Sequence, residues 1–404
     1  KRLGITNDRG TDVVVLLDRS GSMGTPEKLP YAKTAVKELL DQIGERDRFS
    51  LVSFSDRAVI EFPLSTVNDQ MRKRISKVVD GVSSGGGTNI HHGVDTAWKI
   101  IQDNPSARTR KVILLSDGEA TSGDTSATGL YRVSALANQR EGMLSTIGMG
   151  LGFNETVMSS MADHGMGRFA YLESLEQLGS ILAKDFDDAK HTFAANSHLQ
   201  IELKPGVELI DAGGYPITYV KNNGRTIANV TTGRLLSDAT KSFVLTLRVP
   251  SESTGEFDLS GMALTYTANG EVSSVSLPKK SLQLAIVEPA RKIEALASID
   301  KASYASVWTE NNVGRMRQSV NNYIRKGEKA KAKKVIQSYR NEIQVAEQES
   351  GVALVDAVAE ELNKMDSELD EAFSGPAPVQ RVKRNRLAKK SHADSLKSQR
   401  KLVK

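Results

Sequence analysis

The chain has 404 residues, of which 39% are hydrophobic and 25% are charged, and its formal net charge is +5. This composition is ordinary for a folded protein of about two to three domains, and it excludes collagen-like, mucin-like and wholly disordered chains. The absence of cysteine excludes a disulfide scaffold, a thiolate metal site and a cysteine nucleophile. No apolar run reaches the ~18 residues that would span a bilayer.

Residues 1–190 alternate strand patterns with helical patterns. Asp12–Leu17 (DVVVLL) is a continuous apolar run after its first residue, and Lys111–Leu115 (KVILL) repeats the pattern. Such runs are typical of strands buried on both faces of a parallel sheet. Glu27–Ile43 places its apolar residues at helical spacing. We therefore predict an α/β domain here, with a doubly wound, mostly parallel, Rossmann-like sheet flanked by helices.

The remaining chain divides into three further stretches. Residues 191–288 alternate apolar and polar positions between turn signals, which predicts an antiparallel β-sandwich. Residues 289–373 return to helical spacing and predict a helical segment. Residues 374–404 begin with a Pro- and Gly-containing linker and end in a basic tail. Ten basic residues and one acid give residues 381–404 a net charge of +9. We expect this tail to be disordered and to contact an anionic membrane or partner, and we expect no nucleic-acid binding.

Three separated segments carry oxygen side chains where ligands usually bind an open α/β sheet. Asp18, Ser20 and Ser22 follow the first buried strand, and Asp117 follows the second. Thr88 ends a glycine loop before a predicted helix. Ligands of such sheets bind beyond the carboxyl ends of the strands. Because these donors are all hard oxygens, the set predicts a Mg²⁺ site, with Mn²⁺ or Ca²⁺ as alternatives.

The spacing Asp18-x-Ser20-x-Ser22, followed by Thr88 and Asp117, resembles the metal-ion-dependent adhesion site of von Willebrand factor A domains. The similarity covers about residues 10–188. The resemblance implies that the three hydroxyls ligate the ion and that the two carboxylates act directly or through waters. It also implies that an acidic residue of a partner protein completes the coordination.

The later stretches are similar to bacterial proteins that join an A domain to a β-sandwich and a helical segment. These proteins are described as calcium-activated-chloride-channel-like or inter-alpha-trypsin-inhibitor-heavy-chain-like. Leu235–Pro250 (LLSDATKSFVLTLRVP) carries this similarity.

The prediction is a metal-dependent protein-binding or adhesion module that is not an enzyme. We expect it in the cell envelope, periplasmic or extracellular, with a cytoplasmic location left open because the given chain starts at Lys1. One alternative is a regulatory or scaffold subunit of an ATP-driven machine. It would need an ATPase partner, because no Gly-Lys-Ser/Thr phosphate loop occurs in this sequence. Another is that the metal is structural and the sandwich carries the binding.

Overall fold

The computed structural model describes residues 10–400 and 402–403, apart from 173, 223, 238, 243, 253, 259–260, 269 and 277–282. The first nine residues of the predicted α/β domain, parts of the predicted sandwich and two positions of the tail lie outside the described residues. None of the described helices combines the length and the apolar character needed to cross a membrane.

A six-stranded sheet forms the centre of the first domain. Its strands are β1 (Thr11–Asp18), β2 (Arg48–Phe54), β3 (Ala58–Thr66), β4 (Thr109–Gly118), β5 (Gly142–Gly152) and β6 (Met166–Leu172). They lie in the order β3-β2-β1-β4-β5-β6. Only β3 runs antiparallel to its neighbour. Because the order reverses between β1 and β4, their carboxyl ends meet at the topological switch point, where open α/β sheets bind ligands.

Helices cover both faces of this sheet. They are α1 (Lys28–Gln42), α2 (Asp69–Gly81), α3 (Ile90–Asp103), α4 (Ala127–Gln139), α5 (Glu155–His164) and α6 (Leu178–Lys190). Val13, Val15 and Leu17 of β1 pack into the core that includes α1, α2 and α6. Val14 and Leu16 pack into the opposite core, with α3, α4 and α5. The apolar run of β1 is continuous because both of its faces are buried, which confirms the predicted doubly wound fold.

Antiparallel strands follow. They are β7 (Thr192–Leu203), β8 (Glu208–Ala212), β9 (Ile217–Asn222), β10 (Arg225–Leu236), β11 (Thr240–Lys241), β12 (Leu245–Arg248), β13 (Gly255–Asp258), β14 (Met262–Ala268), β15 (Glu271–Ser276) and β16 (Gln283–Ile286). Five of them form a sheet in the order β15-β14-β7-β10-β9. Leu199 and Ile201 of β7 share a buried core with Leu209 of β8, with Leu247 of β12 packed against it. The antiparallel architecture was therefore predicted correctly.

A buried ionic cluster joins these strands to the first domain. Lys111 Nζ of β4 lies 2.6 Å from Asp185 Oδ2 of α6. Arg234 of β10 donates to Asp188 Oδ2 at 2.9 Å and lies 3.4 Å from Asp185 Oδ1. All four side chains are buried, and breaking such a pair leaves an uncompensated charge at a cost of about 3–5 kcal/mol. The cluster therefore fixes the sandwich against the α/β domain.

Helices follow the strands, which confirms the predicted helical segment. They are α7 (Lys292–Ala297), α8 (Lys301–Ser306), α9 (Val313–Lys326), α10 (Lys329–Ser350), α11 (Val355–Ala372) and α12 (Ala377–Gln399). Helices α9, α10 and α11 share one apolar core. Gly327 and Gly351 end α9 and α10 with φ of +75° and +63°, a left-handed conformation that glycine adopts without steric cost.

The expectation of a disordered tail is wrong for residues 377–399, which form α12. Its buried positions recur at helical spacing and are small or polar: Ala388, Ser391, Ser395 and Gln399. Its basic residues meet acids of the body. Lys389 lies 3.0 Å from Glu155, Lys390 lies 3.1 Å from Glu368, and Lys383 lies 3.6 Å from Glu371. These acids match three of the tail's ten basic residues, and the segment packs onto the protein.

Candidate metal centre

Asp18 is the last residue of β1 and is fully buried. Its Oδ1 accepts a hydrogen bond from the Ser20 backbone N–H at 2.8 Å. Its Oδ2 accepts one from the Ser116 hydroxyl on β4 at 2.5 Å. With both oxygens held, the carboxylate has one orientation at the switch point between β1 and β4.

A chain of hydrogen bonds connects the first segment with Asp117. Ser20 Oγ and Ser22 Oγ are 3.1 Å apart, and the Ser22 hydroxyl donates to Asp117 Oδ1 at 2.7 Å. Ser22 lies in a 3₁₀ turn over Gly21–Gly24, which lifts its side chain above the strand end. Four of the five predicted ligands, Asp18, Ser20, Ser22 and Asp117, therefore lie in one connected group.

Thr88 reaches the same edge from the second segment. Its backbone N–H donates to Thr121 Oγ1 at 2.9 Å, and its carbonyl accepts from the Thr121 N–H at 2.9 Å. No hydrogen bond to Thr88 Oγ1 occurs within the part of the chain that the structure describes. The loop thus holds the Thr88 backbone and leaves its hydroxyl available to a ligand.

Gly118 shows how close the two sets of hydroxyls are. A Cβ placed on Gly118 would lie 3.6 Å from Ser22 Oγ and 3.7 Å from Thr88 Oγ1. The two loops are also joined through their backbones, since the Gly21 N–H donates to the Gly86 carbonyl at 3.0 Å. The hydroxyls of both segments therefore flank one point, which lies beside the buried carboxylates.

The electrostatics of the group favour a cation. Burial raises the pKa of Asp18 above its ordinary value and outweighs the hydrogen bonds from Ser116 and Ser20, which lower it; the charge of Asp117 adds to the rise. Among the described residues, Lys28 is the one cation in salt-bridge contact with either carboxylate, at 2.5 Å from Asp117 Oδ2. Lys28 thus pairs with Asp117, and no described cation pairs with Asp18.

The donor set fits a hard divalent ion. It consists of carboxylate and hydroxyl oxygens, which Mg²⁺ prefers over nitrogen or sulfur ligands. Within the described ranges no cluster of three or more His, Asp or Glu residues forms a rival metal site. The arrangement can hold a cation while neutral hydroxyls leave part of the cation's charge unbalanced.

Sequence reasoning missed Ser116, Thr121 and Lys28. Ser116 could have been found, because it precedes Asp117 at the end of the same strand. Lys28 carries a weaker signal, a basic residue at the first position of helix α1. Thr121 has no sequence signal, since its role depends on how two distant loops meet.

Comparisons with known proteins show which family the first domain matches. The family described as von Willebrand factor type A domain matches residues 12–184. An uncharacterized protein of Synechocystis sp. is 26% identical over 280 residues, which cover 66% of this chain and 64% of that protein. Inter-alpha-trypsin inhibitor heavy chain H4 of Bos taurus is 28% identical over 175 residues, 40% of this chain and 19% of that protein.

A solved structure extends the similarity in fold to most of the chain. The von Willebrand factor type A protein from Catenulispora acidiphila has a TM-score of 0.66 at 16% identity, and the match covers 92% of this chain and 84% of that one. The chain spans less than two thirds of the length of the two curated relatives.

Proposed function

Since residues 12–184 form a von Willebrand factor type A domain, we propose that the chain binds a protein partner through a divalent metal ion, with Mg²⁺ preferred. Asp18, Ser20, Ser22, Thr88 and Asp117 would hold the ion. The observation that carries this proposal is the connected group of oxygens at the switch point. Of its two buried carboxylates, Asp117 pairs with Lys28 and Asp18 pairs with no described cation.

The proposed chemistry is recognition without bond making. When bound, the ion supplies a positive charge that can accept an oxygen ligand from outside the protein. Asp18 and Asp117 supply negative charge, while the hydroxyls of Ser20, Ser22 and Thr88 add neutral oxygens. Since Ser22 is exposed, a partner can approach the group from solvent. The natural complement is an acidic side chain, because carboxylate oxygen is a preferred ligand of hard cations.

The remainder of the chain is proposed to act as a rigid scaffold for the edge of the sheet that carries the candidate metal centre. The ionic cluster of Lys111, Asp185, Asp188 and Arg234 fixes the sandwich, and α12 fixes the helical segment. A location in the cell envelope remains part of the proposal.

A displayed library of random peptides tests the proposed recognition. We expect peptides selected in Mg²⁺ to share an Asp or Glu and to lose binding in EDTA. They should also lose binding to Asp117→Asn. Asp41→Asn is the matched control, because Asp41 is an exposed carboxylate near the end of α1. Selected peptides without acidic residues, or binding that persists in EDTA, would overturn the proposal.

A further inference from the structure

Lys28 bridges two segments of the candidate metal centre. Its Nζ donates to Asp117 Oδ2 at 2.5 Å and to the Ser22 carbonyl at 3.4 Å. The Lys28 side chain is 23% exposed and that of Asp117 is 0% exposed. This contact differs from a surface ion pair, because the Asp117 carboxylate is fully removed from water while the Lys28 side chain remains partly exposed.

The position of Lys28 in its helix is unfavourable by itself. Lys28 is the first residue of α1, and the first turn of α1 contains no acid. A helix N-terminus carries a partial positive charge, so a cation there is repelled by the backbone. A residue that breaks a local rule in this way is expected where function or a compensating contact requires it. Here the compensating contact is the buried carboxylate of Asp117.

The end of β5 leaves room for this side chain. A Cβ placed on Gly150 would lie 3.4 Å from Lys28 Cε and 3.7 Å from Lys28 Nζ. Gly150 also has φ of +69°, a conformation that disfavours other residues. Two features therefore accommodate the Lys28 side chain. Asp117 binds its Nζ, and the absence of a side chain at Gly150 leaves space for it.

We infer that Lys28 sets the charge of the metal centre and thereby makes the bound ion depend on an external carboxylate. The carboxylates of Asp18 and Asp117 give the centre a formal charge of −2, and the positive charge of Lys28 changes this to −1. A divalent ion then has a net charge of +1 in its immediate surroundings instead of zero. The lysine weakens binding of the ion alone and strengthens the attraction of a bound ion for an anionic ligand. The second half of this inference rests on the proposed function.

The test measures Mn²⁺ binding by calorimetry at constant pH and ionic strength, with the intact chain. Lys28→Met should bind Mn²⁺ about tenfold more tightly than the wild type, since a repelling charge is removed near a divalent ion. Lys28→Gln can still donate a hydrogen bond to Asp117 but carries no charge, and it should behave like Lys28→Met. Lys37→Met is the matched control on the same helix, because Lys37 pairs with the exposed Asp80 at 2.8 Å. Its affinity should stay within about twofold of the wild type.

Acetate serves as the carboxylate probe for the second half. Saturating acetate should tighten Mn²⁺ binding more in the wild type than in Lys28→Met, because the more positive centre of the wild type attracts acetate more strongly. Acetate and Mn²⁺ change each other's affinity by the same factor, so this difference appears in the affinity for Mn²⁺. An equal effect of acetate in both proteins would overturn this half.

Two outcomes of the calorimetry overturn the first half. If Lys28→Met binds Mn²⁺ no more tightly than the wild type, or if Lys28→Gln retains wild-type affinity, the lysine positions Asp117 and does not tune the charge. If the wild type itself binds no Mn²⁺, this inference and the proposed function both fail. A wild type that binds Mn²⁺ alongside an unchanged Lys28→Met removes only the inference about Lys28.

Discussion

The candidate metal centre and the contact of α12 with α5 both bury carboxylates, but they balance charge differently. We call the second region the α12 joint; it contains Lys389, Arg400, Glu155 and Asp163. In the joint, Glu155 lies 3.0 Å from Lys389 and 2.6 Å from Arg325, and Asp163 is paired with Arg400. At the metal centre, Lys28 pairs with Asp117, and no described cation pairs with Asp18. A buried acid with its own cation holds structure together, whereas a deficit of positive charge leaves a site for an ion.

The pKa values of the two regions move in opposite directions for this reason. Burial raises the pKa of Asp18, and the hydrogen bonds from its neutral partners Ser116 and Ser20 lower that pKa too little to reverse the rise. Burial would also raise the pKa of Glu155, but the charges of Lys389 and Arg325 outweigh it and lower that pKa. Asp18 thus lacks a cation beside it among the described residues, whereas Glu155 has two.

The largest expected effect is the loss of stability when residues 377–404 are deleted. The deletion leaves Asp163 without Arg400, removes Lys389 from Glu155 and uncovers α9, whose Gly314 carbonyl accepts from the Ser395 hydroxyl at 2.7 Å. We expect a loss of at least about 5 kcal/mol and a melting temperature lower by about 10 °C or more. Thermal unfolding followed by circular dichroism checks this. An unchanged melting temperature would mean that α12 is only a solvated tail.

A single substitution within the joint should have the next largest effect. Lys389→Met removes the ion pair with Glu155 and the hydrogen bond from Lys389 to the Phe153 carbonyl. We expect a loss of about 2–3 kcal/mol, because the Phe153 carbonyl loses its donor and Glu155 keeps only Arg325 of its two cations. Lys397→Met is the control, since Lys397 is an exposed lysine on the same helix; it should cost less than about 0.5 kcal/mol. Equal effects in denaturant unfolding would contradict the structural role of Lys389.

His392 makes the joint sensitive to acid. Burial lowers the pKa of His392 to about 4 from its ordinary value of 6.5, and its Nε2 lies 2.9 Å from Ser159 Oγ. Below pH 6.5 the unfolded chain takes up a proton that the folded chain does not, so stability falls until the pH reaches about 4. This group contributes at most about 3 kcal/mol to that fall.

Comparing His392→Gln with the wild type isolates this contribution. Denaturant unfolding between pH 7 and pH 4 should be less pH-dependent in the variant, while His191→Gln, which alters a half-exposed histidine, should follow the wild type. If His392→Gln and the wild type lose stability equally between pH 7 and pH 4, the pKa of His392 is not depressed in the folded chain. His392 then does not cause the sensitivity to acid.

The smallest expected effect on stability comes from the metal centre. Thr88→Ala keeps both backbone hydrogen bonds to Thr121 and removes a hydroxyl that makes no bond among the described residues. We expect a change below about 0.5 kcal/mol in unfolding free energy, together with Mn²⁺ affinity weakened by about tenfold because one oxygen is lost. Calorimetry and thermal unfolding of the same sample measure both. Unaltered Mn²⁺ affinity would show that Thr88 is not a ligand.

The metal centre and the α12 joint also differ in how well the sequence predicts them. Asp18, Ser20, Ser22 and Asp117 follow buried strands whose apolar runs are visible, such as Val13–Leu17, so their meeting point follows from sheet topology. Lys28 and Thr121 were missed because they approach from a helix start and a distant loop.

The joint has no such pattern. The buried face of α12 consists of Ala388, Ser391, Ser395 and Gln399, together with Lys389. Helix prediction relies on a stripe of large apolar residues, and this face shows none. Close approach is possible here because α9 presents Gly314, on which a Cβ would lie 2.5 Å from Gln399 Cγ. Such a contact can be recognised only when the positions of both helices are known.

Calorimetric titration with Mg²⁺ of the wild type, Asp18→Asn, Asp117→Asn and the control Asp41→Asn tests whether the two buried carboxylates hold a metal ion. We expect one bound ion per chain in the wild type and in Asp41→Asn, and binding at least about tenfold weaker in each of the other two, since each loses one unit of negative charge beside the ion. Equal Mg²⁺ affinity in all four proteins, with folding intact, would contradict the assignment of the metal centre.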